Sequence, residues 1–128
     1  FLPLICYEII YSGKLYKNSN FNLIINISED GWFGSSVGLK QHFAHSIFRS
    51  IEEGKNIIRS TNNGISAYIN TSGKVMEKIE STHSGVIEVR GLHEQNQTVF
   101  SKNGNNIFFY LLIIYISFIF FINKRRSR

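Results

Sequence analysis

The sequence contains a single cysteine and no internal repeat. Because Cys6 has no second cysteine to pair with in these 128 residues, an internal disulfide is excluded, and the thiol serves either chemistry or burial. The chain also begins at Phe1 without an initiator methionine and without the charged leader of a signal peptide. We therefore expect it to be the C-terminal piece of a longer protein.

The chain has little net positive charge outside its C-terminus. The formal net charge is +5, and four basic residues close the chain: Lys124, Arg125, Arg126 and Arg128. Nucleic-acid recognition requires a basic groove interleaved with aromatic side chains, whereas the excess charge here follows a long apolar run. We therefore expect no nucleic-acid partner.

Charge, glycine and proline are all missing from residues 107–122, IFFYLLIIYISFIFFI. At about 1.5 Å per residue this run covers about 24 Å, slightly less than the roughly 30 Å of a hydrocarbon core, and flanking Asn, Lys and Arg side chains can close the gap. A buried core helix would show polar residues at helical spacing, so we predict a transmembrane helix. Basic residues beside a span mark the cytoplasmic side. We expect residues 123–128 to form a cytoplasmic tail and residues 1 to about 104 to lie across the membrane.

The remaining sequence predicts an α/β layer with mixed strand directions. Apolar and β-branched runs predict strands at residues 1–6, 22–28, 56–61, 65–70, 74–80 and 85–90. A helix is predicted over 39–54, with Gly54 as its C-terminal stop. Its apolar stripe comprises Leu39, Phe43, Ile47 and Ile51. The polar residues 91–106 are predicted to be a connector.

Cys6 lies where the first predicted strand breaks into a turn, with Tyr7 and Glu8 directly after it. A turn after a strand offers backbone N–H groups to a developing oxyanion and a dipole that favours a thiolate, which is the nucleophilic form of cysteine. Burial as a small hydrophobic residue is the alternative.

Five short blocks in this order resemble the nitrilase, or carbon-nitrogen hydrolase, superfamily, and within it the bacterial apolipoprotein N-acyltransferase family. The blocks are residues 5–8 (ICYE), 28–34 (SEDGWFG), 41–42 (QH), 49–52 (RSIE) and 59–64 (RSTNNG). The resemblance implies that residues 1–90 form the C-terminal part of a four-layer αββα sandwich. Residues 91–106 then connect it to one transmembrane helix, residues 107–122.

The resemblance also implies an activity. Family members transfer an acyl chain from a phospholipid, through a thioester on the residue matched by Cys6, to the α-amino group of the N-terminal diacylglyceryl-cysteine of a lipoprotein. Neither a metal nor an organic cofactor is implied. The family resides in the bacterial inner membrane, with several spans in the parent protein, the catalytic domain in the periplasm and the C-terminus in the cytoplasm.

The resemblance assigns three roles at the turn and leaves two positions unfilled. It makes Cys6 the nucleophile, the Tyr7 backbone N–H an oxyanion donor and Glu8 a supporting carboxylate that orients the site. The general-base Glu and the oxyanion-stabilising Lys of the superfamily precede the cysteine, and residues 1–5 contain neither. We therefore expect this chain to be inactive alone. The lysines at positions 14, 17 and 40 match no family position.

Other polar and aromatic residues near these blocks have two interpretations. Trp32 and Phe33 either contact an acyl chain or anchor their loop. Asn62 and Asn63 either bond the nucleophile loop or substrate, or simply form the turn after a strand. Asp30 is expected to cap the loop or the following helix by accepting backbone N–H groups.

The predicted helix carries two further pairs. His42 and His45 have the spacing of metal ligands, but no third ligand follows at usable spacing, so we expect no metal. Arg49 and Glu52 are expected to form a structural ion pair, as the resemblance implies.

Two other functions remain open from the sequence. One is a membrane-tethered nitrilase-type amidase, since the motifs around Cys6 do not distinguish water from an amine as acceptor. The other is a non-catalytic remnant or interaction module. Half of a four-layer sandwich would also expose apolar sheet surface, so we expect residues 1–104 alone to be poorly soluble.

Overall fold

The computed structural model describes residues 1–13, 21–95 and 97–126. They form one five-stranded sheet, a long helix on one face of it and an apolar helix at the C-terminal end. The strands are β1 (Leu2–Ile5), β2 (Leu23–Glu29), β3 (Asn56–Asn62), β4 (Ser66–Ile69) and β5 (Val75–Ile79). The helices are α1 (Gly38–Glu53), α2 (Val99–Asn103) and α3 (Asn106–Arg126), and two 3₁₀ turns span Cys6–Ile10 and Gly31–Phe33. Lys14 and Lys17, which match no family position, lie outside the described residues, as does Arg128 of the predicted tail.

The sheet is mixed and its strands lie in sequence order. The first three strands are parallel, and β4 and β5 add antiparallel hairpins. This confirms the predicted α/β class with mixed strand directions. Because the carboxyl ends of parallel strands meet at one edge, the residues that follow β1, β2 and β3 come together there.

The two faces of the sheet differ in what covers them. Leu4, Ile24 and Ile57 are buried on the face that carries α1, where Phe43 and Ile47 pack against them. On the other face, Ile5 is 67% exposed and Ile27 is 60% exposed. Since alternate residues of a strand point to opposite faces, β1 and β2 are apolar on both sides. Near these two strands the second face is therefore an open apolar surface among the described residues.

Helix α1 buries a polar face, and the predicted stripe is partly wrong. The buried residues are His42, Ser46, Arg49, Ser50 and Glu53. Phe43 and Ile47 are half-buried, whereas Ile51 is exposed. Part of this polar face is hydrogen-bonded: the Ser50 hydroxyl, for example, donates to the Asn70 carbonyl, and His42 contacts Asp30. Gly54 ends the helix with φ of +63°, as predicted.

The strand predicted at residues 85–90 is wrong. Half-buried Ile87 and Val89 alternate with exposed neighbours, but the segment does not pair with any strand of the sheet. Val86 and Val89 instead line a cavity with Tyr68 and Met76 of the β4–β5 hairpin. A period-2 pattern predicts a face to bury and does not guarantee a strand partner.

The segment after residue 90 is docked on the sheet. The Tyr68 hydroxyl donates to Asn56 Oδ1 (3.0 Å) and lies 2.9 Å from His93 Nδ1. Asn56 Nδ2 donates to the His93 carbonyl at 2.9 Å. The Thr98 hydroxyl caps α2 by accepting from the Ser101 N–H and donates to the Glu52 carbonyl at the end of α1. The predicted connector is therefore fastened to the sheet and to α1.

Helix α3 has 21 residues, and an 18-residue stretch of it has a mean hydropathy of 2.1 and no burial within the structure. At about 1.5 Å per residue it is about 32 Å long, because it continues past the apolar run through Asn123 to Arg126. It is long and apolar enough to cross a membrane, as predicted from the sequence. Lys124, Arg125 and Arg126 occupy its last turn.

We predict that Asn56→Ala releases residues 91–95 from the sheet. The substitution removes the side chain that accepts from the Tyr68 hydroxyl and that bonds the His93 backbone through both its amide oxygen and its amide nitrogen. Loss of hydrogen bonds to a buried group costs about 1–3 kcal/mol. Hydrogen exchange of residues 91–95 should accelerate and the unfolding midpoint in detergent should fall. Asn22→Ala, at an exposed asparagine, is the matched control. Equal exchange in both variants would contradict the docking.

Candidate active site

Cys6 has a strained backbone. It is the first residue of the 3₁₀ turn after β1, and its φ of +50° is in the left-handed region. This conformation costs a non-glycine residue about 1–3 kcal/mol and persists only where its surroundings impose it. One such constraint is Glu8, whose Oε2 accepts the Ile5 N–H at 2.7 Å and closes the turn.

The thiol of Cys6 is free and half-buried. Its Sγ lies 3.5 Å from Ser28 Oγ and 3.9 Å from the Glu29 carbonyl oxygen. Both neighbours belong to the end of β2, directly beside β1 in the parallel ladder. The sulfur therefore occupies the edge where the parallel strands end.

Asp30 is the centre of a buried polar network behind the thiol. Its Oδ1 accepts the Ser28 hydroxyl at 2.7 Å and lies 2.9 Å from His42 Nδ1. Its Oδ2 accepts Arg59 Nη2 at 2.7 Å. His42 Nδ1 lies between this carboxylate and Arg59 Nη2, which is 3.1 Å from it. All four side chains are buried, so strand, loop and helix are joined at one carboxylate.

The network corrects the prediction for Asp30. Its side chain makes no capping bond to the turn that follows, and its partners are side chains from β2, β3 and α1. Burial lowers the pKa of Arg59, and the Asp30 carboxylate opposes that shift, as does the charge of a Cys6 thiolate. The guanidinium is thus compensated inside the fold.

Asn26 connects this network to the backbone of the turn. Arg59 Nη1 donates to Asn26 Oδ1. Asn26 Nδ2 donates to the Leu4 carbonyl at 3.1 Å and reaches the Cys6 carbonyl at 3.5 Å. Sequence analysis missed Asn26 and Ser28. Their signal was two polar residues at alternate positions of an otherwise apolar strand.

Aromatic rings cover the same region. The Tyr7 ring stacks on His42 with centroids 5.1 Å apart and planes 19° apart, and Phe33 lies 5.4 Å from the His42 ring. With Ile10, Gly38 and other neighbours these rings line a cavity of about 120 Å³. Trp32 is 89% exposed. Of the two loop aromatics, Phe33 therefore lies beside the candidate nucleophile turn and Trp32 points to solvent.

Asn62 and Asn63 bond the Trp32-containing loop. Their Nδ2 atoms donate to the Glu29 carboxylate at 2.6 Å and 3.5 Å, and the Gly31 N–H donates to it at 2.7 Å. The Gly31 N–H chiefly, with Asn62 next, lowers the pKa of Glu29. Asn63 has φ of +57°, a conformation that asparagine tolerates in turns. Both asparagines therefore fix the loop beside Cys6.

Two further pairs were predicted on α1, an ion pair and a pair of histidines. Arg49 forms an ion pair with Glu52, as predicted. The pKa of His45 is lowered mainly by burial, then by Arg49 and His42. No group of three or more His, Cys, Asp or Glu side chains arranged for a metal occurs within the described part of the chain.

Comparison with known proteins gives consistent matches. The sequence model of the carbon-nitrogen hydrolase family matches residues 2–90. The apolipoprotein N-acyltransferase of Wigglesworthia glossinidia brevipalpis is 36% identical over 91% of this chain and 24% of its own length. That of Rickettsia bellii is 40% identical over 94% of this chain and 24% of its own. That of Allorhizobium ampelinum is 45% identical over 66% of this chain and 16% of its own length. The chain thus spans about a quarter or less of the length of these relatives.

We predict that Gly64→Ala disrupts the Asp30 network. A Cβ at this position would lie 2.7 Å from both Cβ and Cγ of Asp30, whose side chain is fully buried and has no room to move. Overpacking of this kind costs about 1–3 kcal/mol. The unfolding midpoint should fall, and alkylation of Cys6 by iodoacetamide should change. Gly91→Ala, where a Cβ meets nothing within 4 Å, should leave both unchanged.

We also predict that acid releases the loop held by Glu29. Since the pKa of Glu29 in the fold lies below its ordinary value of 4.5, the stabilisation is present above pH 4.5 and is lost as the pH falls through the lower folded value. The amide shift of Gly31 should titrate with a midpoint below 4.5. In Glu29→Gln this transition should vanish; its persistence would assign the titration to another group.

Proposed function

Because the chain belongs to the carbon-nitrogen hydrolase family, we propose that it provides the nucleophile of an apolipoprotein N-acyltransferase. In this proposal Cys6 attacks the ester carbonyl of a phospholipid and the lysophospholipid alcohol leaves. The acyl chain then resides on Sγ as a thioester. The α-amino group of a diacylglyceryl-cysteine attacks the thioester, forms the amide and releases the thiolate.

The geometry around Cys6 supports this role. The sulfur occupies a turn that is strained at φ of +50° and closed by Glu8, so it is displayed at the sheet edge and not packed as a core hydrophobe. The backbone N–H of Tyr7, directly after the nucleophile, is the proposed oxyanion donor. Stacking of the Tyr7 ring on His42 restrains that residue.

The observation that carries the choice of a lipid substrate is the extent of the similarity. The carbon-nitrogen hydrolase match ends at residue 90, but the Rickettsia bellii acyltransferase aligns with 94% of the chain and so includes most of α3. Similarity to an acyltransferase therefore extends beyond residue 90 into the apolar helix. An acyl donor that resides in a bilayer gives that helix a purpose, whereas a water-soluble amide does not.

We propose that the protein resides in the membrane that holds its acyl donor. Helix α3 crosses the bacterial inner membrane with its basic last turn in the cytoplasm, and the sheet lies on the periplasmic side. The partners are a phospholipid donor and a diacylglyceryl-lipoprotein acceptor. Trp32, which is 89% exposed, and Phe33 contribute apolar surface to the acyl chain in this proposal. The proposal also requires a general-base Glu and an oxyanion-stabilising Lys from outside these 128 residues.

The amidase alternative shares the first half of the chemistry. Water or a small amine would then resolve the acyl-enzyme, and α3 would serve only as a tether. Nothing in the contacts of Cys6 favours this acceptor over a lipoprotein amine. The non-catalytic alternative gives no reason for a strained cysteine turn that is closed by Glu8 and backed by the buried Asp30 network.

We predict that the full-length protein in membranes takes up label from a phospholipid with a labelled acyl chain. The label should be released by hydroxylamine, absent from Cys6→Ser, and chased onto a diacylglyceryl-cysteine peptide. Residues 1–128 expressed alone should take up none, because the triad is incomplete there. Ser60→Ala, an exposed serine on β3, serves as the control for a conservative change and should label normally.

Three results would contradict the proposal in different ways. Ammonia release from small amides without lipid labelling would replace it with the amidase. Labelling that survives Cys6→Ser would place the nucleophile elsewhere. Acyl transfer by residues 1–128 alone would show that the missing Glu and Lys are not required.

A further inference from the structure

We propose that Ser28 is a functional hydroxyl of this site, which donates its hydrogen bond to the Cys6 thiolate and returns it to Asp30 when the sulfur is acylated. The inference rests on the proposed function for its second half, the return upon acylation. The first half concerns the free thiolate alone. The exchange of partners by the Ser28 hydroxyl makes and breaks hydrogen bonds only.

The surroundings of Sγ require such a donor. Among the described residues, its polar contacts are the Ser28 hydroxyl at 3.5 Å and the Glu29 carbonyl oxygen at 3.9 Å. A carbonyl accepts hydrogen bonds and never donates them, so it suits the thiol and repels the thiolate. A hydroxyl rotates and can do either. Ser28 is therefore the contact that can follow the change in charge on the sulfur.

Asp30 can release Ser28 at low cost. In the structure the Ser28 hydroxyl donates to Asp30 Oδ1 at 2.7 Å. The same carboxylate also interacts with His42 Nδ1 and with Arg59 Nη2. Arg59 thus remains a donor to Asp30 when the hydroxyl turns to sulfur, with the His42 ring beside it, so the buried charge stays compensated.

The position of Ser28 is fixed by its strand. It is 5% exposed and lies on β2, with Thr61 of β3 opposite it in the ladder. Only rotation about its Cα–Cβ and Cβ–Oγ bonds is needed to exchange partners. Charged or titratable residues come from every element around the thiol: Glu8 on its own turn, Glu29 at the end of β2, Asp30 after β2, Arg59 on β3 and His42 on α1.

The test is the pH dependence of Cys6 alkylation in the full-length protein. Iodoacetamide reacts with the thiolate, and mass spectrometry of the peptide that contains Cys6 isolates its rate. Loss of a hydrogen bond to a charged group should raise the midpoint of the profile in Ser28→Ala by about one to two pH units. The plateau rate at high pH should stay within about twofold, because there every sulfur is already a thiolate.

A matched pair separates this role from a packing role. Ser28→Thr keeps the hydroxyl and Ser28→Val replaces it by a methyl group of similar size, and both suit a strand. Thr should keep the wild-type midpoint and Val should raise it. This pair also supplies the test if Ser28→Ala does not accumulate as folded protein. Ser46→Ala removes another fully buried hydroxyl, one with no partner among the described residues, and should leave the midpoint unchanged.

Two outcomes overturn the inference. Equal midpoints for Thr and Val would show that the hydroxyl does not reach the thiolate. A lower midpoint without the hydroxyl would show that Ser28 stays on Asp30 and presents only its lone pairs to sulfur. Alkylation needs no lipid, so a raised midpoint in a protein that accepts no acyl label would support Ser28 donation while the acyltransferase proposal fails.

Discussion

The buried ion pair between Asp30 and Arg59 is the constraint on which the candidate site depends. The two groups are 2.7 Å apart and their side chains are fully buried, so removal of either would leave an uncompensated charge and cost about 3–5 kcal/mol. Asp30 follows β2 and Arg59 belongs to β3. The pair therefore fixes the relative position of two parallel strand ends, and His42 attaches α1 to the same carboxylate.

The strained turn at Cys6 becomes understandable from this constraint. A left-handed cysteine persists only if its neighbours hold it, and each side of the turn is held separately. Asn26, itself bonded to Arg59, reaches the Leu4 and Cys6 carbonyls, while Glu8 bonds the Ile5 N–H. His42, bonded to Asp30, supports the Tyr7 ring. The ion pair thus stabilises the turn at Cys6 through one side chain on β2 and one on α1.

Apolar runs predicted the five strands because strand burial is a local signal, and the turn at Cys6 was visible as the end of such a run. The polar interior was not predictable in the same way. The residues that form it are far apart in sequence. Taken alone, Asp30 resembles a loop cap, His42 a metal ligand and Arg59 a cation at a strand end. Hydrophobic periodicity also misplaced the buried face of α1, since a buried polar network inverts the usual rule that polar positions face solvent.

The docked segment after residue 90 gives the sheet and the apolar helix a common frame. Asn56 and Tyr68 fasten His93 to β3 and β4, and Thr98 bonds the end of α1, the helix that also carries His42. In the proposed membrane setting, a flexible linker would let the height of the thiol above the bilayer fluctuate by several ångströms. Held by these bonds, the chain reaches α3 within a few residues of a fixed point on α1. For a nucleophile whose proposed substrate is anchored in the membrane, that fixed height reduces the orientational freedom lost before attack.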